Sequence, residues 1–372
     1  MANPKVSLVK CESYDSSKVE AAVRKSVELL GSITAFVKPN ETVLIKPNLL
    51  TDTSPEAGID THPEVVRAVI RLLKTVTENI YCGDSPSVFV EKKGIEHVYE
   101  ISGIKKVCQE EGVKLVYFTT PQFVQGYPLT DWLLKCDLLV SVPKFKTHGY
   151  TVLTAGVKNL LGLVVGMYKL KIHRDNPRSA DLSRALVDIY EIRRPDLTIL
   201  DGVVAMEGEG PGSSGTLKKM DLIAASDHAI AIDMILAVLM GLSPQQIPTN
   251  KEAIHRGLIL PDLNAIEIIG EELEVFRSKN FKLPKTSSFN WMPSWMLDVA
   301  KVFFWIKPEI LPKVCQDCGM CQKICPSRAM GRQGHRAEID YKKCIFCFCC
   351  QEICPHKAIV VKKSFLWRLV TG

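Results

Sequence analysis

The chain has 372 residues, 46% hydrophobic and 24% charged, with a formal net charge of +6. These values describe an ordinary globular protein with room for two domains. Its longest apolar stretches are far too short to span a bilayer, and Met1 to Ser7 contains no apolar signal core, so a reducing cytoplasm is the expected compartment.

Over the first 280 residues, short apolar runs alternate with amphipathic stretches. Residues 6–9, 42–45, 79–82, 114–118, 137–142, 197–200, 222–225 and 265–269 read as buried strands. Residues 17–30, 63–77, 95–109, 180–193 and 228–239 have helical periodicity, and Asp60-Thr61-His62-Pro63 makes a good helix start. Alternation of this kind, with near-continuous apolar strands, predicts a mainly parallel, doubly wound α/β sheet covered on both faces. The order of the strands is not readable from the pattern.

Polar residues gather just after several strands. Lys46 and Asn48 follow the second, Asp84 the third, Lys144, Lys146 and His148 the fifth, and Asp201 and Glu207 the sixth. In an open parallel sheet the carboxyl ends of the strands line the ligand crevice. Lys46, Lys144, Lys146 and Lys158 supply positive charge there, Asn48 and Asn159 supply amide hydrogen bonds, and His148 can exchange a proton near neutral pH. A small anionic or phosphorylated substrate suits this set. Lys144, His148, Asp201 and Glu207 are the candidate catalytic groups; Lys46, Asn48, Asp84, Lys146, Lys158 and Asn159 are the candidate substrate contacts. Asp84, Asp201 and Glu207 suit acid–base work or a divalent cation. The plain alternative for each is a solvated loop residue or a helix cap.

Two glycine-containing stretches invite a phosphate reading. Gly208, Gly210, Gly212 and Gly215 match neither the dinucleotide fingerprint nor the Walker loop, because Leu217-Lys218-Lys219 leads toward a strand; a lid or simple turn is expected. Residues 156–162 suit a ligand loop or a packed helix equally well. His62, His97, His173, His228 and His255 show no ligand spacing and read as ordinary, and Cys11, Cys82, Cys108 and Cys136 read as buried small hydrophobes.

Residues 281–311 form a linker rich in proline and tryptophan. Its centre, 295–306, reads as a short amphipathic helix packed on the main domain. Membrane association is not expected, although 291–306 offers a surface for peripheral contact or for a partner, and Trp367 in the tail at 364–372 belongs to the same aromatic set.

Residues 312–363 carry eight of the thirteen cysteines in two copies of one run. Cys315, Cys318, Cys321 and Cys325 precede Pro326; Cys344, Cys347, Cys350 and Cys354 precede Pro355. The copies lie 29 residues apart (344 − 315), and their flanks repeat, Pro-x-x-Ala-Met against Pro-x-x-Ala-Ile. The Cys-x2-Cys-x2-Cys-x3-Cys-Pro run holds cubanes, with the fourth cysteine of each run ligating the other cluster. Two [4Fe–4S] clusters are therefore predicted, one on Cys315, Cys318, Cys321 and Cys354, the other on Cys325, Cys344, Cys347 and Cys350. Zinc sites separate two cysteine pairs by a longer stretch. Cys349 lies outside the pattern as a spare thiol beside the cluster. Over 312–361 the chain resembles bacterial-type two-cluster ferredoxins, which implies a small α+β module of two half-units.

From Pro284 onward there are 14 Lys and Arg against 6 Asp and Glu, or +8, which leaves −2 for the remainder. No aromatic RNA-binding signature or basic helix accompanies this excess, so nucleic acid is not an expected partner. Thiolate-ligated clusters offset it, and the rest is docking surface for a redox partner protein.

The strand-end residues carry a second resemblance, over about residues 5–275. Lys46-Pro47-Asn48, Thr61-His62-Pro63, Gly83-Asp84, Pro143 to His148, Lys158-Asn159, and Asp201-Gly202 through Glu207 to Pro211 resemble the conserved family catalogued as domain of unknown function 362. That resemblance implies an α/β domain partnered with iron–sulfur clusters and lends weight to Lys144 and His148. No flavin, nicotinamide or haem motif is visible. The leading expectation is an enzyme that passes electrons between the clusters and a small anionic substrate. The alternatives are a non-enzymatic electron carrier or docking subunit, and a non-redox acid–base enzyme with structural clusters.

Overall fold

The computed structural model describes residues 3–86, 91–278, 280–285, 305–333 and 336–365. The strands of the α/β domain are β1 (Lys5–Lys10), β2 (Val43–Pro47), β3 (Ile80–Asp84), β4 (Lys114–Tyr117), β5 (Pro121–Val124), β6 (Tyr127–Thr130), β7 (Leu138–Val142), β8 (Lys144–His148), β9 (Val152–Thr154), β10 (Leu197–Gly208), β11 (Gly215–Ser226) and β12 (Glu267–Gly270); all but β5 and β6, which pair with each other in a separate hairpin, form one mixed sheet. Their order in the main sheet is β12-β1-β11-β10-β7-β2-β3-β4; β8 also pairs with β10, and β9 with β8. The run from β10 to β4 is parallel, whereas β11 lies antiparallel to both β1 and β10.

Side-chain alternation divides the core into two layers. Leu44, Leu139 and Leu200 point to one face and Val43, Ile45, Val140 and Ile199 to the other. The second face is covered by α1 (Ser16–Glu28), α2 (Pro63–Lys74), α3 (Lys92–Ile101) and α4 (Ile104–Glu110). The first is covered by α5 (Gly156–Asn159), α6 (Tyr168–Asp175), α7 (Ser179–Ile192), α8 (Ala229–Leu239) and α9 (Pro248–His255). Every residue of β2 and β7 is buried, which is why these strands read as unbroken apolar runs. The single helix expected over 95–109 is two helices, because Gly103 adopts φ 77° between them, a left-handed turn that ends α3.

The chain runs β2, β3, β4 outward to one side of β2, then returns to place β7 and β10 on the other. Strand order therefore switches between β2 and β7, and the crevice beyond their carboxyl ends receives Lys46, Asn48, Asp84 and Lys144. The segment read as polar outrun after β7 is itself a strand. All five residues of β8 are buried, because β10 continues far enough to pair with it at Asp201 and Met206.

The C-terminal module repeats itself. β13 (Ile306–Ile310) pairs antiparallel with β16 (Ile359–Lys363), and β14 (Met330–Gln333) with β15 (Arg336–Ile339). Helices Met320–Ile324 and Cys349–Ile353 are related by the same 29-residue offset as the cysteine runs (349 − 320). Residues 286–304 and 366–372, which include Trp291, Trp295, Trp367 and most of the expected linker helix, lie outside the described residues; Ile306 already belongs to β13. Among the described residues no helix is long and apolar enough to cross a membrane.

The glycine-rich stretch is the turn between β10 and β11, and it carries the C-terminal module. A side chain at Gly212 would overlap the backbone of Glu352. Ser213 Oγ donates to the Cys354 carbonyl at 2.6 Å, and Gln351 Nε2 donates to the Glu209 carbonyl at 3.2 Å. Its role in the fold is docking.

Candidate functional site

At the end of β2, Lys46 is fully buried and its Nζ contacts Asp84 Oδ1 at 3.0 Å. The same ammonium donates to Asn159 Oδ1 at 3.1 Å and to the Pro47 carbonyl at 2.9 Å. Burial pulls the Lys46 pKa down and the Asp84 charge pulls it back up. Asn159 Nδ2 donates to Ser141 Oγ at 2.9 Å, so its oxygen is committed to Lys46 and to Asn48 Nδ2, 3.3 Å away. Asp233 in α8 holds this region by accepting the Gly156 and Val157 N–H groups at 2.7 and 3.0 Å, which caps α5 and sets Lys158 and Asn159 in place. Gly162 leaves no room for a Cβ beside Lys46 and Asp84, so the chain is pressed directly onto the ion pair.

A second buried pair lies on β8 and β10. Lys144 Nζ contacts Asp201 Oδ2 at 2.9 Å and donates to Tyr14 OH at 2.6 Å, while Tyr14 OH donates to Asp201 Oδ1 at 2.8 Å. The ring of His62 stacks on Tyr14 at 3.7 Å, and the His62 N–H donates to Asp201 Oδ2 at 2.9 Å. Burial, then the Asp201 charge, drives the Tyr14 pKa well up, so Tyr14 stays a neutral donor. Next along β8, Lys146 donates to the Ile59 carbonyl at 2.6 Å and lies near buried Asp60. Burial lowers the lysine and raises the carboxyl of this pair.

Lys46, Asn48, Asp84, Lys146, Lys158 and Asn159 are not scattered loop residues. All but Lys46, which stands behind Asp84 and Asn159, line one cavity with Thr154, Lys169, His173 and, from the C-terminal module, Ile324, Cys349 and Glu352. Its atom-free space is about 630 Å³, part of it open to solvent. Several polar atoms of its wall have no hydrogen-bond partner among the described residues: Asn48 Oδ1, Thr154 Oγ1, His173 Nδ1 and Glu352 Oε1. Buried polar atoms are rarely left so.

His148 stands behind Glu352. Its Nδ1 accepts the N–H groups of Tyr150 and Thr151 at 3.0 and 3.1 Å, which places the proton of the neutral ring on Nε2. Nε2 lies 3.1 Å from Glu352 Oε1, although neither atom is aligned for a hydrogen bond. Burial and then Lys158 depress the His148 pKa, against the pull of Glu352. Burial presses His173 down to about 3. Burial also raises the Glu352 carboxyl, but His148, Lys158 and His173 outweigh it and leave the group ionised.

Glu207 is not brought to the cavity. Its carboxylate accepts the Lys282 N–H at 3.0 Å and lies 3.7 and 3.8 Å from the Lys282 and Lys218 ammonium groups, so it holds the segment that leaves the α/β domain. Lys144 and Asp201 are occupied by each other and by Tyr14. In the sequence Lys169, Tyr14 and Glu352 do not stand out, Asp60 reads only as part of a helix start, and His173 reads as ordinary. The only available signal was the i, i+4 spacing of Lys169 and His173 on a short helix.

The cysteine loops repeat to the level of single dihedrals. Left-handed residues occur at Asp317 and Phe346, at Gly319 and Phe348, and at Arg328 and Lys357, every pair 29 residues apart. Such φ values cost non-glycine residues about 1 kcal/mol each and turn successive N–H groups toward one point. Ala329 N–H donates to Cys325 Sγ at 3.1 Å, and Ala358 N–H, again 29 residues on, to Cys354 Sγ at 3.3 Å. One cavity is lined by Cys315, Cys318, Cys321 and Cys354. Burial and the neighbouring Cys318, Cys315 and Cys354 push the Cys321 thiol to about 11. Cys350 has Cys347, Cys344 and Cys325, then Cys321, as its charge neighbours. No three His, Cys, Asp or Glu side chains among the described residues converge as a single ion requires; in a cubane each thiolate meets a different iron. The runs differ in exposure. Cys318 is exposed, whereas Cys347, Cys349, Cys350 and Cys354 are buried, the first two in a cluster with Leu170 of α6.

The family model described as "Domain of unknown function (DUF362)" matches residues 43–238, and the model described as "4Fe-4S dicluster domain" matches residues 307–355. A thylakoid-associated protein of Synechocystis sp. is 35% identical over 260 residues, covering 68% of this chain and 79% of that protein. Among solved structures, the lactate racemase apoprotein from Thermoanaerobacterium thermosaccharolyticum aligns with TM-score 0.35 and 13% identity over 61% of this chain and 54% of that one. A Thermotoga maritima protein aligns with TM-score 0.32 and 13% identity over 53% of this chain and 52% of that one. The present chain thus spans about half the length of each of these structures. By its sequence matches the chain belongs to the family named for this domain of unknown function, with a ferredoxin-type iron–sulfur dicluster module following the α/β domain.

Proposed function

We propose that this protein is an iron–sulfur electron-transfer enzyme whose substrate, a small anion, occupies the cavity between the α/β domain and the second cysteine run. The observation that carries this reading is the shared wall. Cys349 and Glu352, from the helix bearing Cys350, line the same space as Lys158, Lys169, Asn48 and Asn159.

The residues present suit two [4Fe–4S] clusters. Cys315, Cys318, Cys321 and Cys354 would hold one, and Cys325, Cys344, Cys347 and Cys350 the other, with the repeated left-handed turns aiming N–H groups at sulfur. Clusters held there supply one-electron transfer between the exposed rim at Cys318, where a partner protein would dock, and the buried side at the cavity. The α/β domain supplies the rest. Lys158 and Lys169 attract the anion, the Lys46–Asp84–Asn159 network holds the floor rigid, and His148 keeps a proton on Nε2 one contact behind Glu352.

The test is iron and sulfide content with electron paramagnetic resonance of the anaerobically reconstituted, reduced chain. The expected result is roughly eight irons, four per cubane. Cys318→Ala is expected to lose the signal of one cluster and keep the other. A Cys318→Ala protein with both clusters intact would contradict the ligand assignment.

A further inference from the structure

We infer that the ligand of the interdomain cavity is a small carboxylate that also carries a hydroxyl group; the inference rests on the anion reading above and specifies it. Two sets of groups face the cavity, and a simple anion satisfies only one.

The first set is cationic. The Lys46 charge is matched by Asp84 at 3.0 Å, and Lys146 lies beside Asp60. Lys158 and Lys169 have no ion pair or side-chain hydrogen bond among the described residues, and Lys169 is only 7% exposed. Glu352, the remaining carboxylate of the wall, contacts His148 and offsets Lys158 only at a distance, without an ion-pair contact. Two ammonium groups entering from α5 and α6 are thus left for a carboxylate.

The second set consists of buried atoms that can take a hydrogen. Asn159 Oδ1 accepts from Lys46 Nζ and from Asn48 Nδ2, which leaves Asn48 Oδ1 as the free end of that side chain. Thr154 Oγ1 and His173 Nδ1 are buried on the same wall and equally unpartnered. Thr154 Oγ1 can also donate, and His173 Nδ1 accepts or donates with its tautomer, but Asn48 Oδ1 only accepts, and a bare carboxylate has no hydrogen to give it. An amino group would arrive as an ammonium beside Lys158 and Lys169 and be repelled. A hydroxyl supplies the hydrogen without the charge. Leu49, Leu50, Leu161 and Leu170 complete the wall and suit a short carbon skeleton. Lys169 and His173, i and i+4 on α6, provide one group of each kind from a single helix face.

A site that hydrogen-bonds a hydroxyl discriminates strongly against the analogue lacking it, because its own buried atoms are then left unpaired. The test is anaerobic calorimetric titration of the cluster-loaded full chain with two matched pairs, glycolate against acetate and malate against succinate, and with inorganic phosphate. The hydroxylated member of at least one pair is expected to bind at least tenfold tighter than its partner and than phosphate. Thr154→Val is expected to narrow that gap with little change for acetate or succinate, whereas Lys169→Gln weakens both members of the pair. Equal affinities within both pairs, or phosphate binding as tightly as the hydroxy acid, would overturn the hydroxyl assignment and leave the anion reading standing. No binding of any of the five would overturn both.

Discussion

Glu352 belongs to the helix of the second cysteine run, yet its Oε1 lies 3.1 Å from Nε2 of His148, a fully buried residue of the α/β sheet. This contact joins the wall of the cavity between the domains to the half of the ferredoxin module that is buried. The carboxylate also offsets Lys158, so it sets the net charge that an incoming anion meets. Glu352→Gln keeps the shape and removes one negative charge. Removing that like charge from the wall is expected to tighten binding of a small carboxylate by about tenfold or more. Calorimetric titration against the unmodified protein checks it.

The docking turn offers a cleaner mechanical test. Gly212 has no space for a methyl group against the Glu352 backbone. Gly212→Ala is expected to loosen the C-terminal module without unfolding the α/β core. Hydrogen exchange should rise at residues 209–214 and 349–353 and stay unchanged in β2 and β7.

The Lys144–Asp201–Tyr14 cluster is a structural keystone at the switch-point edge. Asp201→Asn leaves a buried ammonium without its counter-charge and is expected to cost about 3–5 kcal/mol in denaturant unfolding. Tyr14→Phe removes one hydroxyl that contacts Lys144, Asp201 and the Val204 N–H, and is expected to cost about 1 kcal/mol. A loss from Tyr14→Phe as large as that from Asp201→Asn would place the energy in the phenol.

Much of this arrangement was legible in the chain. β2 and β7 announce themselves because both faces are buried, and Lys46, Asn48 and Asp84 because they follow apolar strands directly. The two cysteine runs of the dicluster module are legible from spacing alone, since a cubane dictates the loop. Other parts depend on contacts remote in sequence. β8 forms only because β10 overshoots the sheet edge to pair with it, so Lys144 to His148 reads as loop. Lys169 and His173 sit in Tyr168–Asp175, whose many charges mimic a solvated helix. Glu352 is hidden inside a motif whose cysteines draw the eye, and its partner His148 lies in the other domain.

The protonation of Lys169 makes anion binding depend on pH. Burial pushes its ammonium from an ordinary 10.5 down to about 7; Asp84 pulls it up, while Lys46 and Lys158 push it further down. A base with a depressed folded pKa favours the neutral form, so the stability of the ligand-free protein is expected to rise with pH between about 7 and 10.5. Anion affinity has the opposite sign. It is expected to be full below about pH 7 and to fall by up to tenfold per unit above it. Lys169→Gln should flatten that profile, and titration at several pH values checks both slopes.

The most direct test is electron paramagnetic resonance of the reduced, cluster-loaded chain with and without a bound small carboxylate such as glycolate. Glycolate is expected to shift the signal of the cluster that Cys350→Ala removes and to leave the one that Cys318→Ala removes unchanged. A spectrum indifferent to glycolate at saturating concentration, or a shift confined to the Cys318 cluster, would contradict a substrate site at the buried end of the module.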